Sequence, residues 1–193
     1  MTHKANITGI ILSGGKSSRM GTDKGFVTWR DKLFVQHSID ALKPIVHEII
    51  IVSDYPKYDT LGYKRVEDSI PEAGPLSGLY SGLKESNTEL NLVLSCDVPL
   101  ITSDILEELI ARYRKGTTAV VCEVSTNIMP LVALYNKNCY KVCESLLQSG
   151  ERRMMRLIEK LDNTSYLVLN DKQSECVKNI NSLDDLKELN NAN

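Results

Sequence analysis

What most narrows the folding options of this chain is a short apolar run that stops on glycine. Residues 7–12 are apolar apart from Thr8 and Gly9; they break at Ser13, Gly14 and Gly15, and Lys16, Arg19 and Lys24 follow. A run that is apolar at successive positions, not only at alternate ones, suits a strand covered on both faces. Comparable runs recur at 48–52 and 91–94, with amphipathic stretches between them. Over 34–43, Val35, Ile39 and Leu42 share one helical face and Pro44 ends the pattern. Buried strands alternating with amphipathic helices predict an α/β chain, with a mainly parallel sheet between helical layers in a three-layer αβα arrangement.

The remaining expectations follow in chain order. Residues 64–68 read as a short strand ending in Glu67 and Asp68, and a helix opens at Pro75 and runs to about Ser86. The apolar strand from Asn91 delivers Asp97 at its C-terminal end, where Pro99 stops it. Ser103 reads as the N-cap of a helix running to about Tyr113. Strands are expected at 118–123 and 131–135, separated by the polar stretch 125–128; helices at 138–148, closed by Gly150, and at 154–161; and short strands at 166–169 and 176–180. Ser182 caps a last helix whose Leu183, Leu186 and Leu189 are expected to face inward.

With 193 residues and 42% hydrophobic content the chain can bury a substantial core, and no repeat or linker-like segment divides it, so one domain over 1–193 is expected. A formal net charge of −2 argues against a nucleic-acid binder but leaves room for a local basic pocket. No apolar run approaches the roughly 20 residues that cross a bilayer, and the opening MTHKAN lacks an apolar signal region. The expected location is cytoplasmic, with neither membrane nor nucleic acid as a partner. Cys96, Cys122, Cys139, Cys143 and Cys176 are odd in number with no C-x-x-C, and His3, His37 and His47 are scattered. Free thiols, buried or partly so, are expected in place of a disulfide framework or zinc site.

A strand that ends in glycines and then offers cations is suited to phosphate, because glycine lets backbone N–H groups approach oxygens closely. The P-loop pattern G-x-x-x-x-G-K-[ST] fails, since Gly15-Lys16-Ser17 would need a glycine where Ile10 stands. The dinucleotide pattern G-x-G-x-x-G fails as well, because Gly14 and Gly15 are adjacent. In an open parallel sheet the glycine segment, Asp68 and Asp97 would gather at the C-terminal strand ends, where ligands bind. Cations and a strand-end carboxylate able to hold Mg²⁺ are what transfer of a nucleotidyl group to a phosphate needs, since the attacking oxygen is already anionic.

The segment resembles the L-x-G-G-x-[ST]-x-R-M-G-x-x-K signature of nucleotidyltransferases that activate small metabolites, through Leu12, Gly14, Gly15, Ser17, Arg19, Met20, Gly21 and Lys24. Asp23-Lys24, Glu67-Asp68, Gly74-Pro75-Leu76-Ser77-Gly78, Cys96-Asp97-Val98-Pro99, Gly150-Glu151-Arg152-Arg153 and Asn179-Ile180-Asn181-Ser182 extend the match. Together they are similar to the molybdenum cofactor guanylyltransferase family over nearly the whole chain. The resemblance implies a Rossmann-like nucleotidyltransferase fold and Mg²⁺-dependent transfer of GMP from GTP to molybdenum-molybdopterin, with release of pyrophosphate. It implies GTP contacts at Leu12, Ser13, Gly14, Gly15, Lys24, Asp68 and Asp97, and catalytic roles for Arg19, Lys24 and Asp97, with Asp97 also holding the metal. It puts Arg152, Asn179 and Asn181 on the pterin side, and implies molybdenum cofactor biosynthesis proteins and acceptor molybdoenzymes as partners.

Three departures from the family pattern stand out. Val52, with Asp54 two residues on, occupies the place of a nucleotide-holding Asn; Asp31-Lys32-Leu33-Phe34 lacks the family's proline; and Met129-Pro130 replaces His-Pro. A cytidylyltransferase, or an enzyme of the same fold acting on a sugar or isoprenoid phosphate, is the alternative reading. A non-catalytic nucleotide or cofactor binder is a third, but it would not need Arg19, Lys24 and Asp97 together.

Overall fold

The computed structural model describes residues 5–14, 23–70 and 73–191. Nine strands and seven α-helices follow one another as β1 (Ala5–Leu12), β2 (Thr28–Trp29), β3 (Lys32–Leu33), α1 (Phe34–Leu42), β4 (Val46–Val52), β5 (Lys64–Val66), α2 (Pro75–Glu85), β6 (Leu90–Ser95), α3 (Ser103–Arg112), β7 (Ala119–Val124), β8 (Asn127–Asn136), α4 (Cys139–Gln148), α5 (Met154–Lys160), β9 (Thr164–Leu169), α6 (Asp171–Cys176) and α7 (Leu183–Asn191) among the described residues. Seven strands form one sheet in the order β5-β4-β1-β6-β8-β7-β9. Only β8 runs against the rest, pairing antiparallel with β6 and with β7. The sheet is therefore mainly parallel, as the apolar runs predict.

The pairing explains why β1 is apolar at nearly every position. It is central, flanked in parallel by β4 and β6, and its two faces feed two cores. Ile11 packs with α1 and α3 on one face, while Ile10 and Leu12 pack with α2, α4 and α5 on the other. These are the three layers. Gly82 of α2 lies directly over the sheet: a Cβ there would sit 2.6 Å from the Ile10 Cγ2 and 3.1 Å from Val52.

A third, smaller cluster carries the C-terminal helix. Val27, Trp29 and Phe34, in and beside the β2–β3 hairpin, meet Ile180 and Leu189. The hairpin turns on Arg30 and Asp31, both at positive φ (47° and 60°), the two-residue turn whose twist matches paired strands. The Arg30 guanidinium lies over the Trp29 ring, 4.5 Å from its centroid.

Several expectations need correction. Residues 176–180 are not a strand. Asn170 accepts from the N–H groups of Lys172 and Gln173, and the Gln173 side chain accepts from Asn170 N, a reciprocal cap that starts α6 instead. Ser103 is the first residue of α3, not its cap; its hydroxyl donates to the carbonyl of Ala41 across the α1–α3 contact. Leu183 is exposed, while Leu186 and Leu189 do face inward. β8 begins at Asn127, so the polar break is confined to the hairpin at Ser125 and Thr126. The Ser182 cap holds, with Asp185 N donating to its hydroxyl at 3.1 Å.

Gly82→Ala tests the contact between α2 and the sheet. Helix propensity alone would favour alanine by about 1 kcal/mol, but the new methyl meets a β-branched, fully buried Ile10, and overpacking of this kind costs about 1–3 kcal/mol. The expected outcome is a net loss of about 1–2 kcal/mol, read from urea denaturation; a gain in stability would mean that α2 can move off the sheet freely.

Candidate active site

The site is assembled by strands that end at the same level. Leu12 pairs with Val52 on one side and with Ser95 on the other, and Val52 pairs with Val66. The ladder then runs one residue further: Ser13 N donates to Val52 O, Cys96 N to Leu12 O, and Ser53 N to Val66 O. Gly14, Asp54, Asp68 and Asp97 therefore emerge together across four strand ends. Three strand spacings separate β5 from β6, a span of about 14 Å.

At the β6 end, Asp97 is buried (8% exposed) and its Oδ2 accepts from Lys24 Nζ at 3.0 Å, although the two residues are 73 apart in sequence. The same ammonium donates to the side-chain amide oxygen, Oδ1, of Asn181. Asn181 is itself held from two directions. Ile180 N donates to the backbone oxygen of Asp97, and Asn181 N and Ser182 N both donate to the Asp185 carboxylate at the start of α7. Lys24 opens a single 3-10 turn, Lys24–Phe26, that Asp23 caps through Gly25 N. Lys24, Asp97 and Asn181 thus form one cluster from three separate parts of the chain.

At the β5 end, Asp68 accepts from the Ser77 hydroxyl of α2 and from Ile70 N, while its own N–H donates to Asp54 Oδ1 at 2.9 Å. Partial burial, with the Asp54 charge adding to it, raises the Asp68 carboxyl above its ordinary value against the pull of Ser77. Gly74, at φ 76°, lets the chain turn into α2 with Pro75 as its first residue. Asp68 is thereby tied to the start of that helix.

The other expected site residues fall in different places. Leu12 is buried in the α2 face of the core and its carbonyl is taken by Cys96 N. Ser13 is wholly buried; its N–H is taken by Val52, and its hydroxyl has no hydrogen-bond partner among the described residues. Gly14 is exposed; its φ is not positive and a Cβ there would touch nothing within 4 Å among the described residues, so the fold itself does not demand glycine. Gly15 and Arg19 lie outside the described residues. Of the two asparagines expected on the acceptor side, Asn181 meets Lys24 beside Asp97 and Asn179 is exposed. The Arg152 guanidinium donates to the carbonyls of Leu147 and Glu151, which are the end of α4 and the turn beyond it. Tyr80 bonds Glu144, and Lys137 bonds the carbonyl of Ser86, so α4 runs antiparallel to α2 and the Gly150–Arg153 turn lies level with the start of α2.

The sequence gives no sign that Asp54, two residues beyond Val52, and Ser77, inside the segment 74–78, are the partners of Asp68. The thiols are as expected. Cys96, Cys122, Cys139 and Cys143 are buried, and burial pushes Cys96, Cys122 and Cys139 up to about 12, so they stay protonated.

Among the described residues no group of three or more His, Cys, Asp or Glu is placed to hold a metal ion. A cation here would have Asp97 and the oxygens of a bound phosphate. That donor set fits Mg²⁺, which binds through one or two carboxylates together with phosphate oxygens and water. The Asp97 Oδ1, buried and without a hydrogen-bond partner among the described residues, is the atom left over for it.

A family model described as a MobA-like NTP transferase domain matches residues 9–164. A protein of Flavobacterium johnsoniae named "Probable molybdenum cofactor guanylyltransferase" is 38% identical over 186 residues, covering 95% of this chain and 96% of that one. One of the same name from Natranaerobius thermophilus is 31% identical, covering 95% and 94%. Among solved structures, the molybdopterin-guanine dinucleotide biosynthesis protein A of Archaeoglobus fulgidus superposes with a TM-score of 0.80 at 23% identity, covering 94% of this chain and 95% of that one. The 4-diphosphocytidyl-2C-methyl-D-erythritol synthase of Anaerococcus prevotii gives 0.78 at 16% identity, covering 97% and 95%. Both share the fold.

The turn into α5 offers a pH test. Glu151 accepts from the Arg153 side chain and from the N–H groups of Arg153 and Arg152, which lowers its carboxyl from 4.5 to about 2. A carboxyl held low in the folded state stabilises it fully above the unfolded value and loses that contribution as pH falls through the folded one. Glu151→Gln should therefore melt below wild type near neutral pH, with the gap closing between pH 4.5 and about 2; a gap constant with pH, followed by thermal melts, would contradict the charge-based account.

Proposed function

Because the chain belongs to the MobA-like NTP transferase family and is a nucleotidyltransferase, we propose that it transfers GMP from GTP to molybdenum-molybdopterin. The observation that carries the reading is the meeting of Lys24 and Asp97 at the strand ends, level with Gly14. A phosphate oxygen of the pterin substrate attacks the α-phosphorus of GTP. The bond from that phosphorus to the bridging oxygen of the β-phosphate breaks, and pyrophosphate leaves with the bond's electrons.

In this reading Gly14 lets the triphosphate lie against the end of β1, and Lys24 and Arg19 neutralise its charge. Leu12, Ser13 and Gly15 belong to the same wall, Leu12 and Ser13 through the position of the strand end they build. Asp68 and the start of α2 take the nucleoside side. Asp97 would hold Mg²⁺ through its Oδ1, and the ion supplies charge neutralisation at the phosphates and the departing pyrophosphate. Lys24 keeps Asp97 oriented, and Asn181 restrains Lys24 from the far side. Arg152, Asn179 and Asn181 take the acceptor side in this reading, with Arg152 acting through the turn it closes. No strong general base is needed, so positioning and electrostatics carry the rate.

The setting that goes with this reading is cytoplasmic, with cofactor-synthesis proteins and acceptor molybdoenzymes as partners. Among the described residues no helix is long and apolar enough to cross a membrane. The cytidylyltransferase alternative shares the fold, so the assay must compare bases. GTP with Mg²⁺ and molybdenum-molybdopterin should release pyrophosphate, and CTP should not; the reverse preference would overturn the choice of guanine. Asp97→Asn should lower turnover by about 100-fold or more while the melting temperature holds, because the side chain keeps its shape. Pyrophosphate release at the wild-type rate by this variant would overturn the metal role.

A further inference from the structure

We propose that Tyr58 is a positioning residue that sets Lys24 in the nucleotide site, acting through Asp23. The inference rests on the reading of Lys24 as a phosphate-binding group. Tyr58 belongs to the 3-10 segment Pro56–Leu61 between β4 and β5, a surface connection, yet its side chain is wholly buried. A buried tyrosine hydroxyl needs a partner. Here the partner is Asp23, whose Oδ1 accepts from Tyr58 Oη at 2.6 Å.

The same Asp23 oxygen accepts from Gly25 N at 2.9 Å. The other oxygen, Oδ2, is buried with no hydrogen-bond partner among the described residues. Among the described residues Tyr58 and Gly25 therefore supply the carboxylate's hydrogen bonds, and in sequence Lys24 sits between Asp23 and Gly25, the two residues that this oxygen links. The turn is gripped by shape as well. The Phe26 ring packs on the Tyr58 ring, centroids 4.7 Å apart, and a Cβ on Gly25 would fall 2.1 Å from Tyr58 Oη and 3.0 Å from the ring. Only glycine permits that approach. Burial, then the nearby Cys96 and Asp23, push the Tyr58 hydroxyl far above its ordinary value, so it remains a donor at any working pH.

The geometry separates this role from plain core packing. The ring fills space in the core, but the hydroxyl points at the one carboxylate that caps the Lys24 turn. Removing the oxygen alone should leave the packing and loosen the turn.

The test is Tyr58→Phe, which keeps the ring against Phe26. GTP affinity should fall by about 10-fold, with the melting temperature within a few degrees of wild type. In a Lys24→Ala background the same change should cost no further affinity, since there is no ammonium left to position; an equal additional loss would mark Tyr58 as merely structural and overturn the proposal. Asp23→Asn, which keeps an acceptor for both donors, should retain affinity that Asp23→Ala loses; equal losses in the two would also overturn it. The Lys24 ¹³Cε resonance gives a readout without nucleotide. It should move in Tyr58→Phe, and an unchanged resonance would overturn the positioning role even if wild-type protein bound no GTP, a result that would by itself count against the proposed function only.

Discussion

Two hydrogen bonds just past the end of β1 hold the site together: Ser13 N to Val52 O on one side and Cys96 N to Leu12 O on the other. They extend the parallel ladder by one residue and so bring the ends of β4, β1 and β6 to one level. Everything that could act on a ligand is measured from that line. Gly14 leaves β1 there, Asp97 leaves β6 one residue beyond Cys96, and Asp54 and Asp68 leave the neighbouring strands. The apolar filling on both faces makes the line rigid, since Ile10 and Leu12 are packed against one helical layer and Ile11 against the other.

The pair of Lys24 and Asp97 depends on that rigidity. Taking two opposite charges partly out of water gains little net stability in itself, because their attraction is set against the cost of dehydrating both. Its value lies in orientation. Asp97 has one oxygen committed to Lys24 and one left buried without a partner among the described residues. Lys24 is committed to Asn181 as well. The groups are thus held in a polar, partly enclosed corner where charge on a ligand would be felt strongly. The third core, joining the β2–β3 hairpin to Ile180 and Leu189, is what brings the C-terminal segment to this corner.

Much of this was legible in the chain before folding. The strands over 7–12, 48–52 and 91–94 were readable because burial on both faces leaves no polar alternation, and most helices because their apolar positions recur at helical spacing. Asp97 was readable because a proline follows two residues later and ends the strand. The errors lie where local and tertiary signals compete. Residues 171–176 form a helix because of a reciprocal cap at Asn170, which a strand-like run around Val177 and Ile180 obscured. Ser103 looked like a cap, but its hydroxyl serves a contact with Ala41, 62 residues away. Leu183 matched the spacing of Leu186 and Leu189, yet α7 buries only the latter part of its stripe.

The sequence by itself determined the fold class and the chemistry on offer: buried parallel strands, glycines at a strand end, cations after them and a strand-end carboxylate. Those are properties of residue type and spacing, and they survive without any knowledge of what lies beside what. Only the tertiary structure decided the pairings. It put Asn181 on Lys24, committed the Ser13 amide to Val52, and turned Arg152 to the end of α4. It also drew Tyr58 onto Asp23 across 35 residues. The reason is physical. A hydrogen bond between distant residues depends on how strands register and which helices cover them, and no local pattern carries that information.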